Sequence, residues 1–269
     1  MADSLKLMCI LAHPDDESLG TGGILAKYGA EGVETCLITA TRGERGWMGD
    51  EKDDPGLDAL GRLRTAELEA ATRVLGVREL IFLDYIDGDL DRAEAAEAIG
   101  KIATHVRRRR PHVVVTFDPF GAYGHPDHIA ISQFTLAALV AAADPNYERA
   151  NGAAPHRVAK LYYMADRKEL MHAYQSVLGD ITMDVDGVVR DAQSWEDWAI
   201  TTRIDAAAYW RQVWRAAACH RSQLPGLAQM NELPEETHLT LWGYPTFYRA
   251  YSFVNGGRQV EQDLFEGLR

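Results

Sequence analysis

The chain has little of what marks a secreted, membrane-bound or nucleic-acid-binding protein. Its three cysteines, Cys9, Cys36 and Cys219, are isolated from one another. Two of them lie inside apolar runs, so they are expected to be reduced core residues and not a disulfide framework. No stretch approaches the ~18 apolar residues needed to span a bilayer. Asp3 and Lys6 around a short apolar run do not make a signal peptide, and the chain is expected to be cytoplasmic with no membrane insertion. Positive charge is also scarce: 28 Lys and Arg against 40 Asp and Glu give a formal net charge of −12. That balance argues against a nucleic acid or an anionic membrane surface as partner. The one basic run, Arg107 to Arg110 before Pro111, is expected to close a helix whose C-terminal dipole favours cations.

Linkers, repeats and low-complexity segments are absent as well, so residues 1–269 are expected to form one domain: a core over about 1–165 and a C-terminal α+β cap over about 166–269. A single core of this size buries roughly 70 to 75% of the unfolded surface and needs no disulfide or structural metal. A homo-oligomer is left open.

Apolar runs alternate with amphipathic segments through the first 165 residues. Strands are expected at 5–12, 33–39, 79–83, 112–117 and 158–164, and helices at 18–30, 57–75, 92–109 and 127–143. Continuous apolar strands alternating with helices imply an α/β, Rossmann-like, mostly parallel sheet flanked by helices, with its site at the carboxyl ends of the strands. Beyond it, a helix is expected at 205–220 and a strand around 239–254. Trp210 and Trp214, four residues apart, are expected in the core.

Against this ordinary background one stretch stands out. Ala12-His13-Pro14-Asp15-Asp16-Glu17 places an imidazole and three carboxylates directly after the first apolar run, where no packing requirement explains them. Its first letters recur after the fourth strand in Gly124-His125-Pro126-Asp127-His128. A catalytic zinc takes three protein ligands and leaves a fourth position open. His13 and Asp16, and His125 and His128, are three residues apart; these four candidates converge where three are needed. Glu17 fits a role at a helix end. The helix at 57–75 carries Arg64 on its apolar stripe, which is costly unless it reaches a polar partner or snorkels to the surface. Two long loops, 40–56 and 117–126, frame the stretches, and Trp47 and Met48 favour an ordered lid in the first.

These motifs resemble the zinc-dependent de-N-acetylases of the LmbE-like (PIG-L) family, which act on N-acetylglucosaminyl compounds. The similarity continues in Thr41-Arg-Gly-Glu-Arg-Gly46, Arg64-Thr-Ala-Glu-Leu68, Asp87-Gly88 and His220-Arg-Ser-Gln223. The resemblance implies that His13, Asp16 and His128 bind one Zn²⁺ and that Asp15 is the general base. It implies further that His125 stabilises the oxyanion or protonates the leaving amine. Asp127 would hold the tautomer of His125, and Tyr123 would donate to the oxyanion. Glu44, Arg64 and Asp87 would contact the sugar or its attached group. Nitrogen and oxygen ligands do not choose strictly among divalent ions, so another metal can replace zinc. The implied reaction releases acetate and a free amine from a small amino-sugar conjugate.

Other classes fit less well. An amidase for a larger amide, such as a thiol S-conjugate of the same sugar family, is the nearest alternative. A phosphoesterase commonly needs two bridged metals. A dinucleotide-binding module is disfavoured because Gly20-Thr-Gly22-Gly23 lacks the third glycine of G-x-G-x-x-G and the acids would repel pyrophosphate. A non-catalytic sugar-binding relative would have no need of Asp15 beside intact ligands.

Overall fold

The computed structural model describes residues 4–150, 152–223 and 228–269, so the N-terminal reading at Asp3 lies outside the described residues. The five expected strands form as β1 (Lys6–Leu11), β2 (Glu34–Thr41), β3 (Glu79–Tyr85), β4 (Val113–Thr116) and β5 (Lys160–Met164). A hairpin of β6 (Thr182–Val185) and β7 (Val188–Asp191) follows, then β8 (Thr202–Arg203) and β9 (Thr246–Ser252). The central sheet has the order β3-β2-β1-β4-β5-β9-β8. Its first five strands pair in parallel, and β9 runs antiparallel to both β5 and β8. From β1 the chain winds to one side through β2 and β3, then crosses back to β4 on the other side. The crevice of such a sheet opens where that reversal occurs, at the carboxyl ends of β1 and β4. Both His-Pro-Asp stretches begin there.

The helices are α1 (Asp16–Leu19), α2 (Gly22–Ala30), α3 (Leu57–Leu75), α4 (Ala95–Arg109), the four-residue turn α5 (Gly121–Gly124), α6 (Pro126–Ala143), α7 (Lys168–Leu178), α8 (Trp210–Ala217) and α9 (Glu235–Trp242). Three expectations are corrected in detail. The helix expected at 18–30 is two helices separated at Gly20 and Thr21. Helix α4 starts at Ala95, where the Glu94 side chain accepts from the Ala96 and Glu97 amides. Residues 239–242 belong to α9 and only 246–252 are strand.

The basic run does close α4, and it does more. Arg107 is buried and donates to the carbonyls of Ala141, Ala142 and Asp144, thereby capping the C-terminus of α6. The part expected as a cap extends the central sheet itself through β9 and β8. Trp210 stacks on His238 at 4.9 Å between ring centroids, a packing role as expected. Among the described residues no helix is long and apolar enough to cross a membrane.

Candidate active site

The first strand leaves the sheet after Leu11, and the turn that follows is backbone-strained. Asp15 has φ 109° and ψ −31°, a conformation costing a non-glycine residue about 1–3 kcal/mol. Two neighbours hold it there. The Arg64 guanidinium donates to Asp15 Oδ2 at 2.9 Å and to the Pro14 carbonyl at 2.5 Å. Glu17 Oε2 accepts the Asp15 amide at 3.0 Å. Arg64 is 3% exposed and also donates to the Gly43 carbonyl, so it reaches a polar site and does not snorkel. A Cβ on Gly43 or Gly46 would collide with this guanidinium, which is why Thr41–Gly46 carries glycines.

The second stretch opens α6. Pro126 takes the first helical position, and His125 caps the helix with Nδ1 accepting the Asp127 amide at 3.1 Å. That bond puts the remaining proton of a neutral His125 on Nε2. His128 lies one turn along, stacked on Phe117 with ring centroids 3.8 Å apart. Its Nε2 is 3.2 Å from His13 Nδ1. Asp16, held by the amides of Ala12 and His13, places Oδ2 3.8 Å from His13 Nδ1 and Oδ1 3.6 Å from His128 Nε2. Ligand atoms around a tetrahedral zinc lie roughly 3.3 Å apart, given bonds of about 2.0–2.1 Å. The two imidazole nitrogens and the carboxylate fit a small divalent ion of this kind.

With one donor atom from each residue, two sets fall within 4.8 Å of one another, His13, His125 and His128, and His13, Asp87 and Asp127, whereas Asp16 reaches His13 and His128 through different oxygens. The second is committed elsewhere, because His13 Nε2 donates to Asp87 Oδ1 at 3.0 Å and to Asp127 Oδ2 at 3.2 Å. Those two carboxylates orient the ring and turn Nδ1 toward the cluster, as partners of a metal-binding histidine do. In the first set, His125 has Nδ1 occupied by its capping bond.

Electrostatics agree with this division. Burial disfavours a charged His13, yet its bonds to Asp127 and Asp87 and the charge of Asp16 raise it to about 10. Burial raises Asp16 to about 7 and raises Asp15 as well, although Arg64 opposes the shift in Asp15. Asp87, despite its burial, is drawn down to about 2 by His13. Burial, with His13 nearby, lowers His125 to about 4 and keeps it neutral.

One assignment changes and one is extended. The Asp127 carboxylate sits on His13 and on the amides of Gly88 and Leu90, not on the His125 ring. It is the Asp127 backbone that sets the tautomer of His125. Glu17 lies in the first turn of α1, at a helix end as expected, and has a further role. It is fully buried and bonded to Ser18 Oγ at 2.5 Å and to His220 Nε2 at 2.8 Å. Burial opposes ionisation of both partners, but their mutual attraction lowers Glu17 and raises His220. They form a buried ion pair behind Asp15. The neighbours of His220 extend the clamp: Ser222 donates to Glu67 through its amide and hydroxyl, and Gln223 Nε2 donates to the Gly46 carbonyl. The resemblance covered residues 220–223, but nothing in their spacing connected them with Asp15.

Glu44 and Asp87 lie beside this assembly with protein partners of their own. Glu44 Oε2 accepts the Asp87 amide at 3.2 Å, and Asp87 Oδ2 accepts the Arg45 amide at 3.1 Å. Tyr123 follows Ala122, whose φ is 60°, and its ring centroid lies 5.2 Å from that of His128. A cavity of about 260 Å³ adjoins the cluster, with Asp15, Asp16, Tyr123 and His128 at one end.

A doubly wound sheet that brings two imidazoles and two neighbouring carboxylates together at its switch point has the donor set of a metal-dependent hydrolase. Comparison with known proteins narrows the class. Residues 8–139 match the PIG-L model, described as GlcNAc-PI de-N-acetylase. The 1D-myo-inositol 2-acetamido-2-deoxy-alpha-D-glucopyranoside deacetylase of Streptomyces avermitilis is 33% identical over 304 residues, covering 98% of this chain and 97% of that protein. The enzyme of the same name from Thermobifida fusca is 34% identical over 293 residues, covering 97% of this chain and 98% of that protein. The N,N'-diacetylchitobiose deacetylase of Pyrococcus horikoshii shares the fold, with a TM-score of 0.69, 21% identity and coverage of 92% of this chain and 84% of that one. The chain belongs to the PIG-L family of de-N-acetylases.

Proposed function

We propose that the protein is a zinc-dependent hydrolase that removes the acetyl group from the amide nitrogen of an N-acetylglucosamine conjugate, releasing acetate and a primary amine. The observation that carries this reading is the meeting of His13 Nδ1, His128 Nε2 and Asp16 within 3.2–3.8 Å, with Asp15 fixed beside them by Arg64. A zinc ion held by these three residues supplies a Lewis acid that polarises the acetyl carbonyl and lowers the pKa of water toward ~7. Asp15 takes a proton from the attacking water and is suited to that task because burial raises its carboxyl. The oxyanion faces the Tyr123 hydroxyl and the Nε2–H of neutral His125. The C–N bond then breaks, and the proton held by Asp15 passes to the departing nitrogen. Glu44, Arg64 and Asp87 form the polar face that receives the sugar, with Arg64 also orienting the base.

The inositol conjugate named for the relatives is the first substrate to try. Metal analysis of purified protein, followed by an assay for acetate and amine release from that conjugate and from other N-acetylglucosamine compounds, tests the reading. One zinc per chain with equal acetate and amine supports it. A metal-loaded protein that releases acetate from none of these compounds sinks it.

A further inference from the structure

We propose that Arg190 is a positioning residue for the hydrolysis: from the β6–β7 hairpin it fixes the turn that carries Tyr123, and so sets the oxyanion donor against the metal cluster. This deepens the deacetylase reading and rests on it. Tyr123 belongs to the turn α5, whose own sequence does little to hold it. Gly121 and Gly124 have φ of 66° and 80°. Ala122 has φ 60° and ψ −78°, a pose disfavoured for any residue with a Cβ unless its surroundings impose it. The Tyr123 ring stands edge-on to His125 and His128, with centroids 6.0 and 5.2 Å away, and its hydroxyl makes no hydrogen bond among the described residues. The ring is therefore held through its backbone and not by its tip.

That backbone is clamped on both sides of Tyr123 by one stretch, residues 190–195. Before it, the Ala122 carbonyl accepts the Gln193 amide at 2.9 Å, and the Ala122 amide donates to Asp118 Oδ1 at 3.0 Å. Asp118 is in turn fixed by Trp195 Nε1 on its other oxygen at 2.8 Å. After it, the Gly124 carbonyl accepts the Arg190 guanidinium at 2.6 Å. The arginine stem lies so close over Gly124 that a Cβ there would come within 2.7 Å of Arg190 Cδ. Arg190 makes no ion pair among the described residues, so its charge is committed to this carbonyl, where a charged donor is about twice as strong as a neutral one. Core packing does not explain the contact, because the other three residues of β7 are exposed. An oxyanion donor lowers the barrier only when it is already in place. Arg190, Gln193 and Trp195 all lie beyond residue 139, where the match to the family model ends.

The test is a double-mutant cycle in the zinc-loaded enzyme, using the N-acetylglucosamine conjugate that the natural protein deacetylates fastest. Tyr123→Phe is expected to lower kcat by about 10²-fold or more, as loss of an oxyanion donor does. Arg190→Ala is expected to lower kcat by about 10-fold with KM within about twofold and zinc content unchanged. Because Arg190 acts through Tyr123, adding Arg190→Ala to Tyr123→Phe is expected to lower kcat no further than about twofold. Arg190→Lys keeps a donor but not the planar fork, and is expected to fall between the alanine variant and the natural protein. If Arg190→Ala does not fold, Arg190→Lys takes its place in the cycle, with a loss of about threefold that disappears beside Tyr123→Phe. A natural kcat in the Arg190 variants, losses that multiply in the double variant, or a loss carried by KM or by zinc content overturns the positioning role and leaves the deacetylase reading standing. Natural turnover in Tyr123→Phe overturns both the role of Tyr123 and that of Arg190. A natural protein that releases acetate from none of the conjugates overturns the deacetylase reading itself.

Discussion

Two buried polar clusters flank β5, and they differ in how completely they are paired. On the β9 side, the Glu261 carboxylate accepts from Lys160 Nζ at 2.6 Å, Asn255 Nδ2 at 2.6 Å, Arg249 at 3.0 Å, Tyr162 OH at 2.8 Å and Thr202 Oγ1 at 2.7 Å. Burial works against the Lys160 cation and the Glu261 anion alike, but these donors hold Glu261 below its ordinary range. At 2.6 Å, with four further donors on the carboxylate, Lys160 and Glu261 form an ion pair. On the β1–β4 side, the His13 and His128 nitrogens face one another, and Arg64 Nε and His220 Nδ1 are buried without a hydrogen-bond partner among the described residues. The first cluster fastens strands together and has nothing left to offer a ligand. The second retains unused bonding capacity, which is what a site needs and a core avoids.

The contrast can be broken at either end. Removing the base is expected to do most: Asp15→Asn should lower turnover by about 10²–10⁴-fold while zinc content stays at the natural level. Turnover close to that of the natural protein would remove Asp15 from the role. Glu261→Ala, which leaves Lys160 buried and uncompensated, should cost about 3–5 kcal/mol in chemical denaturation; a loss well under 1 kcal/mol would show the network to be ornamental. Asp127→Asn weakens the hold on His13 and should reduce metal affinity about 10–100-fold in a competition titration. Unchanged affinity would mean that Asp87 orients the ring alone.

The smallest expected effect is on acid sensitivity. Because the folded pKa of Glu261 lies below its unfolded value of about 4.3, its contribution to stability is fully present above that value. It is lost as pH falls through the lower, folded value. A Glu261→Gln variant should therefore lose less stability than the natural protein between pH 5 and the acid transition, read as a shallower stability–pH slope in chemical denaturation. Parallel stability–pH curves would contradict the assignment.

Much of this was legible in the residues. The strands are continuous apolar runs because both faces of a parallel sheet are covered, and Leu7 to Leu11 are all buried. Arg64 could be recognised as anomalous because a helix stripe has a fixed period. The partners of Asp127 and Glu17 were not legible. The direction of an acid in a turn depends on backbone angles that no local pattern encodes, such as the φ of 109° at Asp15. Asp127 finds its amides in the segment after β3, and Glu17 finds its histidine 203 residues away. The stretch at 239–242, Leu-Thr-Leu-Trp, suits a strand as well as a helix, and its packing against the C-terminal part of the molecule decided the matter.

The Glu17–His220 pair ties chemistry to completeness. Everything proposed to hold the metal and to move the proton precedes residue 130, within the segment that matches the family model. Yet the backbone pose of Asp15 leans on Glu17, and Glu17 is neutralised from the far end of the chain. A nascent or truncated chain that has finished α6 but not yet docked His220 has its ligands and its base, with an unpaired carboxylate behind them. The backbone pose of Asp15 is thus completed only when the C-terminal part of the chain has packed against it.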